Sequence, residues 1–210
     1  MCYNVNMKEK RETKSLIDYY DDYAEAWAQR WYGDEQLVPY LRRFLAHLPA
    51  SPKVLDLCCG AGYESMRMRG LGAEVVGIDL SDKSIKIARE KNPEIVFHVR
   101  DMLESYKDIG EFDGVACIAG LVHIDESNLG TAFKHMHEVL KDGGYLFLVV
   151  RDGDEITESV TVDGTEYARR FFCYTLDKLK QHAKAYFEFI EEMKSETKWR
   201  YYLFKKVLNI

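Results

Sequence analysis

Three aspartates and a Gly-x-Gly loop offer chemistry in this sequence. The stretch VLDLCCGAGYES, residues 54 to 65, passes from apolar residues through Asp56, Cys58 and Cys59 into Gly60-Ala61-Gly62. Asp79 closes the run VVGID, and Asp101 follows VFHVR. Glycines between a strand and a helix let backbone approach a ligand closely, and the helix N-terminus favours negative charge. A pyrophosphate fingerprint needs G-x-G-x-x-G, but Ser65 stands where the third glycine belongs. Asp56 would also repel a pyrophosphate while suiting an ammonium. An acid placed as Asp79 is accepts hydrogen bonds from both ribose hydroxyls. Asp101 can accept one from an adenine amino group, with Met102 and Leu103 packing on the ring. A single strand-end aspartate is ordinarily a turn or a helix cap. Three around one loop fit a nucleoside with a zwitterionic amino-acid tail better than one with phosphates.

Other reactive side chains divide between functional and structural readings. Cys58 and Cys59 are adjacent, so along a strand they point to opposite faces and cannot readily share a metal. They read as small buried apolar groups, and no metal site is expected. His123 is a general base, an orienter of a nucleophile, or a structural histidine bonded to its loop. His135 and His137, two apart on a helix, read as packing and solvation. Arg151, Tyr167, Arg169, Arg170, Phe171 and Phe172 form an aromatic-basic insert. It either roofs a pocket for an anionic or planar substrate or is an ordinary loop with core aromatics.

These residues need a scaffold. Apolar positions at Leu16, Tyr20, Tyr23, Trp27 and Trp31 step by threes and fours, predicting one helix from Ser15. A second runs from Asp34 to about Leu48 and is closed by Pro49 and Pro52. Short β-rich runs then alternate with helices. Strands are expected at 53–58, 74–79, 94–100, 112–119 and 145–150. Helices are expected at 63–71, 81–92 with Ser81 as cap, and from a Ser127 cap to Lys141, ended by Gly143-Gly144. Such alternation predicts an α/β, doubly wound, mostly parallel sheet with ligands beyond the carboxyl ends of its strands. A helix at 175–185 and two facing strands across KSET predict an antiparallel hairpin at the edge.

The totals narrow the function. The 210 residues suggest one domain, with 1–14 as a flexible charged lead, 15–49 as N-terminal helices, 53–150 as the ligand-binding half, and 151–210 as an insert and hairpin. A net charge of −6 argues against nonspecific nucleic-acid or anionic-membrane binding, which needs clustered Lys and Arg. No run approaches the roughly 18 apolar residues of a membrane span. The polar N-terminus has no signal core, so a cytoplasmic location is the default expectation. The five cysteines, Cys2 included, read as reduced thiols. No heptad seam or patch fixes an oligomeric state.

Taken in order, these segments resemble the class I S-adenosylmethionine-dependent methyltransferases, over roughly Tyr20 to the C-terminus. VLDLCCGAG is similar to that family's glycine loop, GIDLS to its ribose acid and RDML to its adenine acid. FDGVACIAGLVHI resembles its fourth-strand motif, and LKDGGYLFLVV the helix and strand that follow. YDDYAEAWAQRW resembles the lid helix of the small-molecule branch, with Trp27 where Tyr or Phe is usual. Cys58 stands where the family's first loop glycine does. The resemblance implies a seven-stranded sheet of order 3-2-1-4-5-7-6 with an antiparallel edge strand and N-terminal lid helices. It implies S-adenosylmethionine as cofactor, S-adenosylhomocysteine as product, and in-line methyl transfer to a small molecule. Carried to this sequence, it places Tyr20, Trp27, Asp56, Cys58, Gly60, Gly62, Asp79, Leu80, Asp101, Met102 and Ala119 around the cofactor. Arg30 is a second candidate for the cofactor's carboxylate. Tyr23, Trp31, His123, Arg151, Arg170 and Phe172 fall on the substrate side. A cofactor-binding regulator without transfer and a nucleotide-dependent oxidoreductase are the alternatives.

Overall fold

The computed structural model describes residues 15–153, 155–162 and 165–208, without the side chains of 156–160, 162, 168 and 169. The charged lead, with Cys2, lies outside the described residues, as does the side chain of Arg169.

The chain opens with α1 (Leu16–Asp22) and α2 (Ala24–Trp31), where the sequence predicts one helix. Tyr23 separates them with φ −102° and ψ 5°, outside helical geometry. Tyr19, Tyr23 and Trp27, four residues apart in turn, still form one aromatic cluster across the break, with Tyr19 and Tyr23 centroids 4.7 Å apart. Ser15 caps α1 in a reciprocal box with Asp18. Next come α3 (Val38–Leu45), β1 (Lys53–Leu57), α4 (Tyr63–Gly70), β2 (Glu74–Asp79), α5 (Asp82–Lys91), β3 (Val96–Val99) and β4 (Phe112–Ile118). After α6 (Leu129–Val139) and β5 (Leu140–Arg151), a separate hairpin forms from β6 (Ile156–Val162) and β7 (Thr165–Phe171). Then α7 (Leu176–Ala183), β8 (Phe187–Met193) and β9 (Trp199–Lys206) complete the chain.

Seven strands make one sheet in the order β3-β2-β1-β4-β5-β9-β8. The first five are parallel neighbours, and β9 runs antiparallel to both β5 and β8. Counting only these strands, the order is the expected 3-2-1-4-5-7-6, with the antiparallel strand one in from the edge. The β6–β7 hairpin pairs only with itself, in the segment where the sequence suggests an insert.

Alternation along the strands builds two apolar layers. Leu55, Leu57, Val115, Cys117, Leu146 and Leu148 face α6 and α7, which bring Phe133, Met136 and Leu179. Val54, Ala116, Phe147 and Val149 face the other way, onto Leu41 and Phe44 of α3, Met68 of α4 and Ile85 of α5. Two local expectations change. Ser127 does not cap α6: Asn128 is its N-cap, without a side-chain bond, while the Asp125 carboxylate accepts the Ser127 N–H and caps a short 3-10 turn at Glu126–Asn128 just before it. Gly143-Gly144 lies within β5 rather than ending the helix, because the chain leaves α6 straight into the strand. Gly143 adopts φ +78° there, near a register shift between Phe112 and Gly114.

Candidate functional site

The carboxyl ends of β1, β2 and β3 lie side by side, and the three aspartates gather there with distinct environments. Asp79 ends β2 beside the glycine loop. Its carboxylate accepts the Gly60 N–H at 2.8 Å and the Ser81 N–H at 2.9 Å. One side chain thereby ties the loop to the start of α5. Burial raises its pKa, and the N–H groups of Ser81, Gly60 and Leu80 oppose that rise. The Arg100 N–H donates to the Asp79 carbonyl at 2.9 Å, which sets Asp101 next to it on the neighbouring strand end. Asp101 is half-buried and accepts the Leu103 N–H at 2.8 Å. Leu80, 42% exposed, stands open between them.

Asp56 is different. It shares the sheet face of Val54, so it points beneath the loop and is 1% exposed. There it accepts the Ser65 hydroxyl at 2.5 Å. Burial pushes its pKa up to about 7, against the pull of the Ser65 hydrogen bond. Glu64 is likewise raised by burial, offset by Arg67. Desolvated carboxylates below a backbone loop favour a ligand carrying positive charge over a polyphosphate.

The loop itself is conformationally exacting. Gly60 and Gly62 have φ +52° and +82°, and a Cβ on Gly62 would lie 2.9 Å from Phe97 and 3.0 Å from Ala88. Cys58 and Ala119 also take positive φ, 62° and 57°, without being glycine. Such backbone costs about 1–2 kcal/mol per residue, and here two cases flank the ends of neighbouring strands β1 and β4. Cys58 Sγ approaches Met102 Sδ at 3.7 Å, and Cys59 lies in the opposite apolar layer. The Cys117 hydrogen bond, then burial, pushes the Cys58 thiol up. Met102 is therefore turned into the core rather than standing open beside Asp101, a correction to the expected ring contact; half-buried Leu103 remains at the surface.

Sequence reasoning misses a clamp on this loop. Tyr32, just past α2, donates its hydroxyl to the Ala61 carbonyl at 2.6 Å, and Asn92 Nδ2 donates to the Tyr32 oxygen at 2.8 Å. Arg67 pairs with Glu64 at 3.0 Å and also donates to the Trp31 carbonyl. The Ser81 hydroxyl donates to Asp21 at 2.5 Å, and Lys83 pairs with Asp22 at 3.1 Å. Helices α1 and α2 are thus fastened over α5 and the loop. Apart from the i,i+3 pair of Glu64 and Arg67, no spacing in the chain signals these contacts, whose partners lie tens of residues apart.

Next to the end of β4, His123 ends a 3-10 turn at Leu121–His123. Its Nε2 lies 2.7 Å from the Tyr20 hydroxyl. Phe171, at the end of β7, closes on the imidazole with centroids 5.3 Å apart, and Arg151 lies 5.7 Å from the Phe171 ring. Tyr167 of the hairpin donates its hydroxyl to Asp22 and packs on Tyr19 and Tyr23. Tyr20, Tyr23, His123 and Arg151 are therefore on one side. The structure does not bring all the expected residues here. Arg170 is exposed, bound to Glu155 at 2.5 Å and laid over Phe172, whereas Phe172 itself is half-buried against the core and its N–H donates to the Val122 carbonyl at 2.8 Å, next to His123. Trp27 and Trp31 stack on each other under Arg30. Arg30 is exposed on that stack. A shallow cavity of about 430 Å³ lies at the opposite, amino end of the sheet by Leu48, Pro52 and Gly72, away from all these groups. No described helix is long and apolar enough to cross a membrane.

Residues 54–144 match the family model described as "Methyltransferase domain". The chain is 31% identical over 180 residues to the ubiquinone biosynthesis O-methyltransferase of Xanthomonas axonopodis pv. citri (strain 306), covering 80% of this chain and 73% of that protein. It is 33% identical over 126 residues to the protein of the same name from Xanthomonas oryzae pv. oryzae (strain PXO99A); that match spans 58% of this chain and about half, 52%, of the relative. Among solved structures, magnesium protoporphyrin IX methyltransferase (ChlM) from Synechocystis PCC 6803 with bound SAM aligns with a TM-score of 0.69 at 18% identity. That alignment covers 91% of this chain and 95% of the other.

Proposed function

The chain belongs to the class I S-adenosylmethionine-dependent methyltransferases, and from that premise we propose that it methylates a hydroxyl of a small molecule, with His123 as the base. The oxygen acceptor follows from the O-methyltransferase relatives. The observation that carries the role of His123 is its place: an imidazole beyond the end of β4, the strand paired with β1 and its glycine loop, 2.7 Å from a lid hydroxyl.

The residues present suit the cofactor. Asp79 and Asp101 stand at adjacent strand ends, with exposed Leu80 between them for the nucleoside. The Gly62 cradle tolerates no Cβ, and α4 starts there without a side-chain cap. Asp56, Glu64 and Asp79, all desolvated, favour the ammonium and sulfonium charges. When bound, S-adenosylmethionine supplies a methyl group on a positively charged sulfur, open to in-line displacement. The protein's part is to exclude water, align the acceptor and take its proton. Helices α1 and α2, tied down by Asp21, Asp22 and Tyr32, provide the cover. The Tyr20 hydroxyl marks the place at His123 Nε2 that an acceptor hydroxyl takes, and the acceptor proton ends on that nitrogen. Tyr20 and Phe171 hold the imidazole from two sides.

The test is transfer of radiolabelled methyl from S-adenosylmethionine to small molecules of a cell extract by wild type and His123→Gln. The account expects labelled product from wild type and a loss of about 10²–10⁴-fold in kcat for the variant, the scale of general-base catalysis, with unchanged cofactor affinity. Label appearing equally with both proteins removes the base from His123. Tight cofactor binding with no label in any extract leaves a binder without transfer.

A further inference from the structure

The acceptor side of the cleft carries a cation that the fold does not use. Arg151 ends β5, half-buried, and its backbone carbonyl accepts the Tyr174 N–H at 3.2 Å. Its guanidinium lies 5.7 Å from the Phe171 ring, which itself lies 5.3 Å from the His123 ring. Three other cations of the described residues near this end of the sheet have carboxylate partners. Arg170 pairs with Glu155 at 2.5 Å, Arg200 with Asp152 at 3.0 Å, and Lys83 with Asp22 at 3.1 Å. Among the described residues, no carboxylate lies within ion-pair distance of Arg151, although the chain is acidic overall. A ring face steadies a guanidinium but leaves its fork of N–H donors unfilled. That fork matches the two oxygens of a carboxylate, and partial burial beside Phe171 strengthens such a pair.

We propose that Arg151 is the anion anchor of the acceptor site, and that the methyl acceptor is a planar hydroxylated acid. Its carboxylate pairs with Arg151, its ring lies along Phe171, and its hydroxyl meets His123. This rests on the reading of His123 given above. The two ring distances limit how far the guanidinium stands from the imidazole.

The experiment uses the full chain saturated with S-adenosylhomocysteine and measures binding by calorimetry. The probes are 4-hydroxybenzoate and 4-hydroxycinnamate, each against its uncharged carboxamide. Acids are expected to bind about ten- to a hundredfold tighter than amides, the range for a hydrogen-bonded charged group. The preference should vanish in Arg151→Met and return in part in Arg151→Lys. Both variants should keep wild-type affinity for S-adenosylhomocysteine, which also reports that they are folded. Equal affinity for acid and amide, acids that fail to bind the complex, or a preference that survives in Arg151→Met overturns the proposal while leaving the cofactor site intact. Failure of S-adenosylhomocysteine to bind wild type overturns the underlying functional reading as well.

Discussion

Replacing Asp56 by Asn should change how stability depends on pH. Asp56 is buried with the Ser65 hydroxyl as its partner, and Asn retains an oxygen to accept that bond. The folded-state pKa is raised to about 7 from the ordinary aspartate value of 3.8. A raised carboxyl binds its proton more tightly in the folded chain, so its stabilising contribution is complete below the unfolded value. The contribution is lost as pH rises through the folded value. Integrating the linkage with these two constants gives a loss of about 2–3 kcal/mol between pH 5 and pH 8. The Asn variant has no proton to lose at this position, while both proteins carry the remaining carboxylates. Urea denaturation of both proteins at pH 5, 6, 7 and 8 isolates the effect. The variant should gain on wild type by about 2–3 kcal/mol across the series, with most of the change below pH 7. A constant difference between the two curves would mean that Asp56 is not held protonated in the fold and that burial does not raise its pKa.

Gly62→Ala should cost roughly 2–4 kcal/mol, combining a left-handed backbone with overpacking against Phe97 and Ala88. Calorimetric melting should fall by about 5–15 °C, and a melt unchanged within about 2 °C would show that the loop relaxes freely. Tyr32→Phe removes the donor to the Ala61 carbonyl and the acceptor for Asn92. It should destabilise the chain by about 1–2 kcal/mol and weaken cofactor binding, read by denaturation and calorimetry; an unchanged affinity would separate the clamp from the loop's ligand geometry.

Much of the sheet is legible because its signal is local. VLDL, VVGID and FDGVACI are dense apolar runs bounded by glycine or aspartate, and β1, β2 and β4 fall on them. Ser81 caps α5 as its position suggests. Long-range contacts are not legible in this way. Apolar periodicity continues through Tyr23, but packing of Tyr19 and Tyr23 against Tyr167 accompanies a break there. The segment 156–171 carries no strict alternation of apolar and polar residues, yet pairs into a hairpin whose Tyr167 bonds the lid. Within the site, Asp79 and Gly60 are found from their spacing, whereas Ser65, Tyr32 and Asn92 act through partners that only the folded chain brings near. Arg151 and Arg170 look alike in sequence; Glu155 satisfies one and no described carboxylate satisfies the other.

Calorimetry of S-adenosylhomocysteine binding to wild type, Asp79→Ala and Asp101→Ala tests the central claim most directly, that acids on adjacent strand ends hold one adenosine. The account predicts clear binding to wild type and a loss of about 1.5–3 kcal/mol for each variant. Wild-type affinity in both variants would contradict it.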